Sequence, residues 1–477
     1  MNLLRQSPTA VGDCALSGSG GAAENVNCPR GRTFSPVPAR TATAQYPRQV
    51  YGGWINKRLL NGRTIAASPP SESRRRDGTT GEVRRRNLAS VLDAVHVAGA
   101  RSRSELTALT GLNRSTIAAL VAELAELGLV EERGTATGSG PGRPSPLVHV
   151  RPQGAVALAI EFVIDSLGVA TVGLGGHVYN RVRIARSTDR FSPEATVQDL
   201  VKLAEPLLDA LPVDHVLAGV GVAVAGTTRR ADGVVTFAPN LGWRDVPLAT
   251  LLEAELGVAA PVSIANEADL GALAEHRRGV GPGADHLLYI SGEVGIGCGI
   301  IVDGRPMLGA AGYAGEAGHT LVRPDGRQCR CGARGCWETE AGEAALLRLA
   351  GVPAGPGAIE EVARRAEDGD GPTLKALDEV GRWLGVGIGN LVNLFNPEIV
   401  VLGGVYERLF DRLEPSMAEA VRARALAPPG EMTTVVGSGL GVDASLLGAA
   451  ELALTDVLAD PAQHAAVTPA TGTDRSR

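Results

Sequence analysis

The sequence predicts an α/β protein that begins with a winged helix-turn-helix module, and three observations support this prediction. Residues 84–150 hold three short helical segments followed by a glycine-rich hairpin. Residues 151–461 alternate short apolar strands with helices rich in Ala and Leu, which is typical of α/β folds. At about 150 residues per domain, the 477 residues amount to roughly three folding units, so two lobes are expected after the module.

Composition and charge exclude several classes of protein. The chain is 44% hydrophobic and 21% charged, as is usual for globular proteins. No apolar run approaches the roughly 20 residues that span a bilayer, and the N-terminus lacks the pattern of a secretory signal. We therefore expect a cytoplasmic protein without membrane contact. The formal net charge of −6 excludes a uniformly basic nucleic-acid coat but not a small DNA-binding module.

Residues 1–83 are predicted to be a disordered basic extension. Residues 1–86 contain 14 Lys and Arg against 5 Asp and Glu, are rich in Gly, Ser, Pro and Thr, and show no sustained apolar period. One interpretation is a basic arm that touches DNA. The other, which we favour, is an unstructured extension or an upstream region wrongly included in the coding frame. Residues 462–477 are predicted to form a second disordered tail.

The three helices of the module are indicated by their apolar spacing and their caps. Ser104 is predicted to cap the second helix, which Gly111 ends, and Asn113 is predicted to cap the third, which Gly128 ends. The first helix carries an apolar face at Leu88, Val91, Leu92 and Val95. The third carries an apolar stripe at Ile117, Leu120, Val121, Leu124 and Leu127.

The third helix begins with polar residues, and the wing carries an arginine. The recognition helix of such a module lies in the major groove with its N-terminal residues toward the base edges. Arg and Asn can bond guanine and adenine, Ser and Thr hold phosphates, and an arginine suits a narrow minor groove. The predicted DNA contacts are Asn113, Arg114, Ser115, Thr116 and Arg143. The alternative is a module for protein contacts, in which the polar residues serve only as a cap.

The remaining elements are predicted from apolar runs and helical periodicity. Strands are predicted at 155–163, 167–174, 216–223, 262–265, 286–291, 296–302, 398–402 and 433–436. Helices are predicted at 195–210, 247–256, 267–277, 342–350, 373–394, 405–411, 415–424 and 443–458. The short connections between the first segments indicate an antiparallel meander before the first long helix.

Three cysteines and one histidine form a candidate metal set. Cys329, Cys331 and Cys336 lie within eight residues, and His319 precedes the first of them by ten. Cys₃His is a common ligand set of structural zinc, so we expect Zn²⁺ here. The alternative is free or disulfide-bonded cysteines, although a chain that is not secreted rarely keeps stable disulfides.

These motifs together resemble the ROK family of bacterial repressors and sugar kinases over roughly residues 84–460. The resemblance rests on the segments Gly219–Gly226, Ala238–Trp243, Asn266–Asp269, Gly315–His319, Cys329–Glu338 and Gly403-Gly404. The preceding module resembles that of the family's transcriptional repressors, including the xylose-repressor type. The resemblance implies a two-lobed, actin-like ATPase fold (ribonuclease-H-like, hexokinase class), a structural zinc, and a homodimer or homotetramer.

The family's sugar contacts carry over to five positions by the same resemblance. They are Asn240, Asn266, Glu316, His319 and Glu338. Amide and carboxylate groups that converge on one cleft suit the many hydroxyls of a sugar or sugar phosphate. His319 could bind zinc through one ring nitrogen and face the sugar with the other. For Asn240 and Asn266 the alternative role is loop and helix capping.

Three departures from the family's kinase motifs predict that catalysis is lost. Residues 161–166 lack the glycines and threonine that approach phosphates, and Glu293-Val294-Gly295 replaces Gly-Thr-Gly. Glu267 stands where the kinases place an aspartate base, and a base displaced by about 1 Å can cost about 10²-fold. Gly403-Gly404, which would lie against adenosine, is also explained by a turn.

The sequence therefore predicts a repressor of carbohydrate-metabolism genes, such as xylose genes, that binds operator DNA and a sugar or sugar-phosphate effector. Its kinase-like body would be a catalytically degenerate sensor. One alternative is an active sugar kinase with an accessory DNA-binding module. Another is a scaffold that binds a protein partner.

Overall fold

The computed structural model describes residues 80–135, 146–164, 166–185 and 192–464. Most of the predicted N-terminal extension, the wing residue Arg143 and residues 465–477 lie outside these ranges. The first helix begins at Thr80 rather than 84, and a short helix at Pro461–His464 reaches into the segment predicted as a tail. His464 contacts the carbonyl oxygen of Gly154 at 3.2 Å, which gives this short helix a partner in the body.

The first six elements form three helices and a small antiparallel sheet of strand order β1-β3-β2. They are α1 (Thr80–Ala98), β1 (Arg101–Ser102), α2 (Arg103–Thr110), α3 (Arg114–Glu126), β2 (Val130–Thr135) and β3 (Pro146–Val150). Strands β2 and β3 flank the wing. The apolar residues predicted for α1 and α3 are buried, apart from Leu127, which is partly buried. Helical periodicity in the sequence was therefore enough to identify the buried faces of both helices.

The cap of α2 differs from the prediction. Ser102, not Ser104, caps the helix, because its hydroxyl accepts from the Glu105 amide while its own amide donates to the Glu105 carboxylate at 2.7 Å. This reciprocal pair is a capping box, whereas the Ser104 hydroxyl only bonds that of Ser102. Gly111 ends α2 with a φ of 71°, and Asn113 caps α3 as predicted.

The first lobe of the body is built on a five-stranded sheet of order β11-β7-β4-β5-β6, with a small separate sheet β10-β9-β8 beside it. Its elements are β4 (Val156–Phe162), β5 (Ser166–Gly173), β6 (His177–Ala185), α4 (Pro193–Asp209), β7 (Leu217–Val224), β8 (Thr227–Arg229), β9 (Val234–Ala238), β10 (Trp243–Val246), α5 (Leu248–Leu256) and β11 (Val262–Asn266). Helix α6 (Glu267–Arg278) leads directly from β11 towards the second lobe.

The second lobe repeats the topology of the first in a sheet of order β14-β13-β12-β15-β16. Its elements are β12 (Leu287–Gly292), β13 (Ile296–Val302), β14 (Arg305–Pro306), α7 (Trp337–Ala341), α8 (Glu343–Ala350), α9 (Ala358–Glu367), α10 (Gly371–Phe395), β15 (Ile399–Gly404), α11 (Val405–Arg408), α12 (Phe410–Arg424), α13 (Ala427–Met432) and β16 (Thr434–Gly437). The chain then returns to the first lobe through α14 (Ala444–Ala453), α15 (Thr455–Ala459) and α16 (Pro461–His464).

In both large sheets, the first three strands are antiparallel and the last two run parallel to the first. This duplicated order is that of the two-lobed actin-like fold, so the expected fold class is confirmed. Every predicted strand is present within a few residues. Helix α9 and the β8–β10 sheet were not predicted, and the helix predicted at 443–458 is divided at Leu454. No helix in the described ranges has the length and apolar character that a membrane crossing requires.

The N-terminal module (α1–β3) and the body share one hydrophobic core. Leu88 and Leu92 of α1 belong to the same buried cluster as Leu446, Leu454 and Leu458 near the C-terminus. Since this apolar contact is buried on both sides, the module is fixed on the body rather than tethered to it.

A buried ionic network lies where α1 of the module meets α6 and α14 of the body, and this interface is called the joint below. The Glu451 carboxylate of α14 accepts from Arg277 at 2.7 Å and also binds Arg278, while His96 of α1 lies 3.1 Å from it. Arg277 in turn pairs with Asp93 of α1. Burial would raise the pKa of Glu451, but Arg278, His96 and Arg277 hold that pKa well below its usual range.

His96 connects this network to the first lobe. Its Nδ1 accepts from the Gly175 amide at 2.9 Å, which leaves Nε2 as the nitrogen that faces Glu451. Burial lowers the pKa of His96 despite the neighbouring carboxylate. The neutral ring is therefore favoured, and Arg277 and Arg278 carry the positive charge that balances Glu451.

We predict that Glu451→Ala destabilises the protein by about 3–5 kcal/mol, because two buried guanidinium groups lose their shared carboxylate. Urea unfolding of the full chain measures the change. The control is Glu360→Ala, which removes an exposed carboxylate paired with Arg408 and should leave the unfolding midpoint nearly unchanged. Equal effects of the two substitutions would contradict the assignment of Glu451 as the centre of the joint.

Candidate functional site

The cysteine-rich loop between β14 and α7 folds into a compact turn. Backbone hydrogen bonds join Cys329 to Ala333 at 2.8 Å and Gly335 to Arg327 at 2.8 Å. Gly335 has a φ of 72°, and a Cβ there would lie 1.7 Å from the Arg323 carbonyl oxygen, so the turn requires glycine. After the loop, Trp337 is fully buried in the second lobe and donates to the Trp383 carbonyl at 2.9 Å.

The loop brings the four predicted metal ligands together. One ligand atom from each of His319, Cys329, Cys331 and Cys336 lies within 4.8 Å of all the others. The Cys329 sulfur is 3.6 Å from His319 Nδ1, and the Cys331 and Cys336 sulfurs are 3.6 Å apart. Tetrahedral coordination with metal–sulfur bonds of about 2.3 Å requires ligand separations of about 3.8 Å. The donor set and its spacing therefore fit a single tetrahedral metal ion.

Two carboxylates flank His319. Glu338 Oε1 lies 3.6 Å from Nδ1 and accepts from the Cys329 thiol at 2.9 Å, while Glu316 Oε2 lies 3.9 Å from Nε2. Burial raises the pKa of Glu316, His319 opposes this shift, and Glu338 adds to it. Nδ1 of His319 faces the other metal ligands, so its Nε2 faces Glu316. Glu316, His319 and Glu338, three of the five predicted sugar contacts, therefore form one cluster.

Asn240 joins this cluster through an arginine that the sequence did not single out. Arg330, between two of the metal ligands, donates to the Asn240 side-chain oxygen. Asn240 lies in the turn between β9 and β10 of the first lobe, whereas Arg330 belongs to the loop of the second. The contact bridges the two lobes at the predicted cleft.

Asn266 ends β11 and caps α6. Its side-chain oxygen accepts from the amides of Ala268 and Asp269, and its Nδ2 donates to the Gly226 carbonyl at 3.0 Å. The capping alternative thus describes the role that this structure gives Asn266. Asp269, one turn into α6, lies beside Gly315, which connects the start of the helix to the Glu316 segment.

The two carboxyl groups at the start of α6 carry raised pKa values. Burial raises the pKa of Glu267 to about 8, and the nearby Glu161 carboxylate adds to the shift. Burial also raises the pKa of Asp269 to about 7, against the attraction of Arg230. Glu267 Oε2 is buried and has no hydrogen-bond partner among the described residues. At neutral pH the protonated form of Glu267 predominates.

Glu161, at the end of β4, is held in a buried ion pair. It accepts from the Ser445 hydroxyl and pairs with Arg183 of β6. Burial raises the pKa of Glu161, although Arg183 and Ser445 oppose the shift. By the resemblance, Glu161 stands at the position where the family's kinases begin their phosphate motif. Here its carboxylate is bonded to Ser445 and Arg183 of the same lobe.

The glycine pair at the end of β15 is explained by packing. A Cβ on Gly403 would lie 2.1 Å from the Tyr289 hydroxyl, and one on Gly404, where φ is 62°, would lie 2.1 Å from the Gly292 carbonyl oxygen. The Glu293 carboxylate lies close to Gly404. The pair therefore needs no nucleotide to account for it.

The predicted recognition helix presents its polar start to solvent. Asn113, Arg114 and Ser115 are exposed, and Thr116 is half-buried. The Asn113 oxygen accepts from the Thr116 amide at 2.8 Å and from the Ser115 hydroxyl at 2.7 Å. Asn113 and Ser115 thus form the cap, and Arg114 is the exposed cation beside it.

Sequence reasoning missed Arg330, Asp269 and Arg183 as members of the site. Asp269 stands in the quoted Asn266–Asp269 segment, so its position was a usable signal. Arg330 reaches a residue 90 positions away and Arg183 a residue on another strand, and no local pattern marks either contact.

Comparison with known proteins identifies repressors and sugar kinases among the relatives of this chain. The ROK family signature matches residues 158–456. The chain is 32% identical to the xylose repressor of Bacillus subtilis over 359 residues, which cover 75% of this chain and 92% of the relative. It is 32% identical to a glucokinase of Streptomyces coelicolor over 286 residues, 56% of this chain and 90% of the relative.

Two solved structures extend this comparison. A ROK family transcriptional regulator described as a homologue of the E. coli MLC protein matches with a TM-score of 0.65 and 26% identity, covering 80% of this chain and 97% of its own. A ROK family glucokinase from Streptomyces griseus, in complex with glucose and AMPPNP, matches with a TM-score of 0.54 and 27% identity, covering 62% and 98%.

The raised pKa of Glu267 predicts a pH-dependent stability difference between the wild type and Glu267→Gln. Between about pH 4.5 and 8 the folded state keeps a proton that the unfolded state has lost, so wild-type stability falls relative to the variant as pH rises. The difference should level off above pH 8. Urea unfolding across this range measures it, with the exposed Glu253→Gln as control. A flat difference for Glu267→Gln would show that Glu267 is ionised at neutral pH.

Proposed function

Because this chain belongs to the ROK family, we propose that it is a sugar-responsive transcriptional repressor whose kinase-like body serves as the effector sensor. The observation that carries the proposal is a module of three helices and a small sheet that packs on a sugar-kinase-like body, in a chain with which a xylose repressor aligns over 92% of its own length. The module supplies DNA recognition, and the cleft supplies the response to a sugar.

Operator recognition is assigned to the exposed start of α3. Arg114 offers a guanidinium group that can bond guanine bidentately, while Asn113, Ser115 and Thr116 hold the helix start and reach phosphates or bases. Arg143 would extend the contact from the wing. A homodimer, or a homotetramer built from two such dimers, would place two recognition helices on half-sites one or more helical turns apart.

The effector is assigned to the cleft between the lobes. Asn240 and Asn266 contribute from the first lobe, and Glu316, His319 and Glu338 from the second. Because the Arg330–Asn240 contact closes this cleft, a sugar or sugar phosphate that competes for Asn240 would loosen one lobe from the other. A xylose-type pentose is the first effector to test, given the name of the aligned repressor.

Zinc is assigned to His319, Cys329, Cys331 and Cys336. Three sulfur ligands and one imidazole favour Zn²⁺, and four protein ligands leave no open position, so the ion would be structural. It would fix the ring of His319 and the flanking carboxylates in one orientation. Sugar recognition would thus depend on the metal without a reaction at it.

Loss of kinase activity is supported by the charges in the nucleotide region. Glu293 stands near Gly404, where its carboxylate would repel the phosphates of ATP, and Glu161 is occupied by Arg183. These features replace the phosphate cradle that phosphoryl transfer needs.

Helix α6 and the joint would transmit a change in the cleft to the module that binds DNA. Helix α6 begins at the cleft with Asn266 as its cap and ends at the joint with Arg277 and Arg278. A rigid helix of this length spans about 18 Å, so a tilt imposed at the cleft is passed to α1 through Glu451 and Asp93. The segment Val148–Pro152, which links the module to β4, would bend as the module turns.

We predict that Arg114→Ala weakens binding to an operator selected by the wild-type protein from random DNA by about 1–3 kcal/mol, and relaxes one base position per half-site. The physical reason is the loss of a bidentate bond to a base. Arg382→Ala removes an equal charge from the second lobe and should leave binding unchanged. Equal losses on operator and random DNA would make Arg114 a phosphate contact instead.

We predict one zinc ion per chain in protein purified without chelator, as measured by elemental analysis. Cys331→Ser should lose most of the metal and weaken sugar binding, because the loop holds Glu316, His319 and Glu338 in place. Cys298→Ala is the matched control, since Cys298 is buried outside the cluster and its loss should leave the metal content intact. A wild-type chain free of zinc would refute the assignment.

An active sugar kinase is the second candidate, favoured by the match to the Streptomyces coelicolor glucokinase. We predict no ADP release above background with MgATP and a panel of hexoses and pentoses. Turnover near the 1–100 s⁻¹ of typical kinases would establish the second candidate and reject the degenerate sensor.

A further inference from the structure

A cavity of about 180 Å³ lies at the joint between the DNA-binding module and the body. Its walls come from α1, α6, α14 and α15, from the strand β14, and from the turn that follows β8. Most of the lining is aliphatic and includes Leu273, Leu452 and Leu458. None of the four metal ligands or the five predicted sugar contacts lines it, although Arg230 of its wall pairs with Asp269 near the start of α6.

The charges around the cavity are not balanced. Asp93 and Glu451 line it, but both carboxylates are bound to Arg277. Arg230 also lines it, comes no closer than 3.8 Å to Asp269, and has a buried Nε without a hydrogen-bond partner among the described residues.

Arg305 is the third guanidinium group of the lining. It is exposed, and within the described ranges no ion pair involves it. The cavity is thus bordered by Arg305 and by Arg230, whose ion pair with Asp269 is long at 3.8 Å. Because the buried Nε of Arg230 lacks a hydrogen-bond partner among the described residues, an anion that reaches it would be stabilised.

The size of the cavity limits what fits. A cavity of about 150 Å³ holds a benzene ring, so this one admits a single ring or a short branched chain with one charged substituent. We propose that it binds a small organic anion, with its apolar body between Leu273 and Leu458 and its carboxylate or phosphate on Arg230 and Arg305.

Such a ligand would contact the module and the body at once. It would touch α1 beside Asp93 and α6 beside Arg277, the two elements that carry the joint. The ligand therefore changes operator affinity, a consequence that rests on the proposed repressor function. The cavity itself stands independently of that function.

The experiment is isothermal titration calorimetry of the full chain, without DNA or sugar, with four probes. Benzoate and phenyl phosphate test the carboxylate and the phosphate forms of the ligand. Benzyl alcohol tests the apolar body alone, and inorganic phosphate tests the charge alone. We expect one of the two organic anions to bind with one site per chain, at least tenfold more tightly than either control probe.

Three variants locate the site. Arg305→Gln and Arg230→Gln should each weaken the binding of that anion about tenfold or more. Arg229→Gln is the matched control, because Arg229 precedes Arg230, pairs with Asp232 and does not line the cavity. Since Arg305 is exposed, its substitution leaves the fold intact and keeps the test decisive.

The proposal is overturned if neither organic anion binds, if benzyl alcohol binds equally well, or if affinity is unchanged in both Arg305→Gln and Arg230→Gln. Operator binding, measured with the saturating anion, tests the regulatory consequence. Unchanged operator affinity would overturn that consequence alone. A wild-type protein that binds no operator at all would instead reject the repressor function, and calorimetry would still decide the cavity.

Discussion

A buried ionic network around Glu451 joins the N-terminal module to the body. The Glu451 carboxylate accepts from Arg277 and Arg278 of α6 and lies against His96 of α1, all within a shared apolar core. The contacts that cross from the body to the module are His96–Glu451 and Arg277–Asp93, so separating the two would break both of them together with the apolar packing. The position of the module therefore depends on how α6, α14 and α1 meet at this group.

Helix α6 connects this joint to the candidate effector site. At its start stand Asn266, Glu267 and Asp269, where the two lobes approach each other and the metal loop brings in its carboxylates. At its end stand the arginines that bind Glu451. Since α6 runs from one site to the other, the proposed repressor function assigns it the role of passing a change at the cleft to the joint.

Much of the fold followed from local sequence signals, and much of the site did not. Strands β4, β7, β12 and β15 are apolar runs in buried sheets, which single-sequence periodicity detects well. The Cys₃His set was visible because its spacing is local. Helix α9 was overlooked although Ile359, Val362 and Ala366 recur at helical spacing, because the helix is short and charged residues separate its apolar ones. The Arg330–Asn240 and Arg183–Glu161 contacts join distant segments, so only the folded chain brings them together.

The central claim is that sugar in the cleft and operator on α3 are linked through the joint. Linkage requires that a sugar lower operator affinity by the same factor by which operator lowers sugar affinity. The direct measurement is both affinities, each with and without the other ligand, in the wild type and in Glu316→Gln. The account predicts equal factors above one in the wild type, and operator binding that is normal but insensitive to sugar in the variant. A wild type that binds sugar with no change in operator affinity, or a variant released normally by sugar, would contradict it.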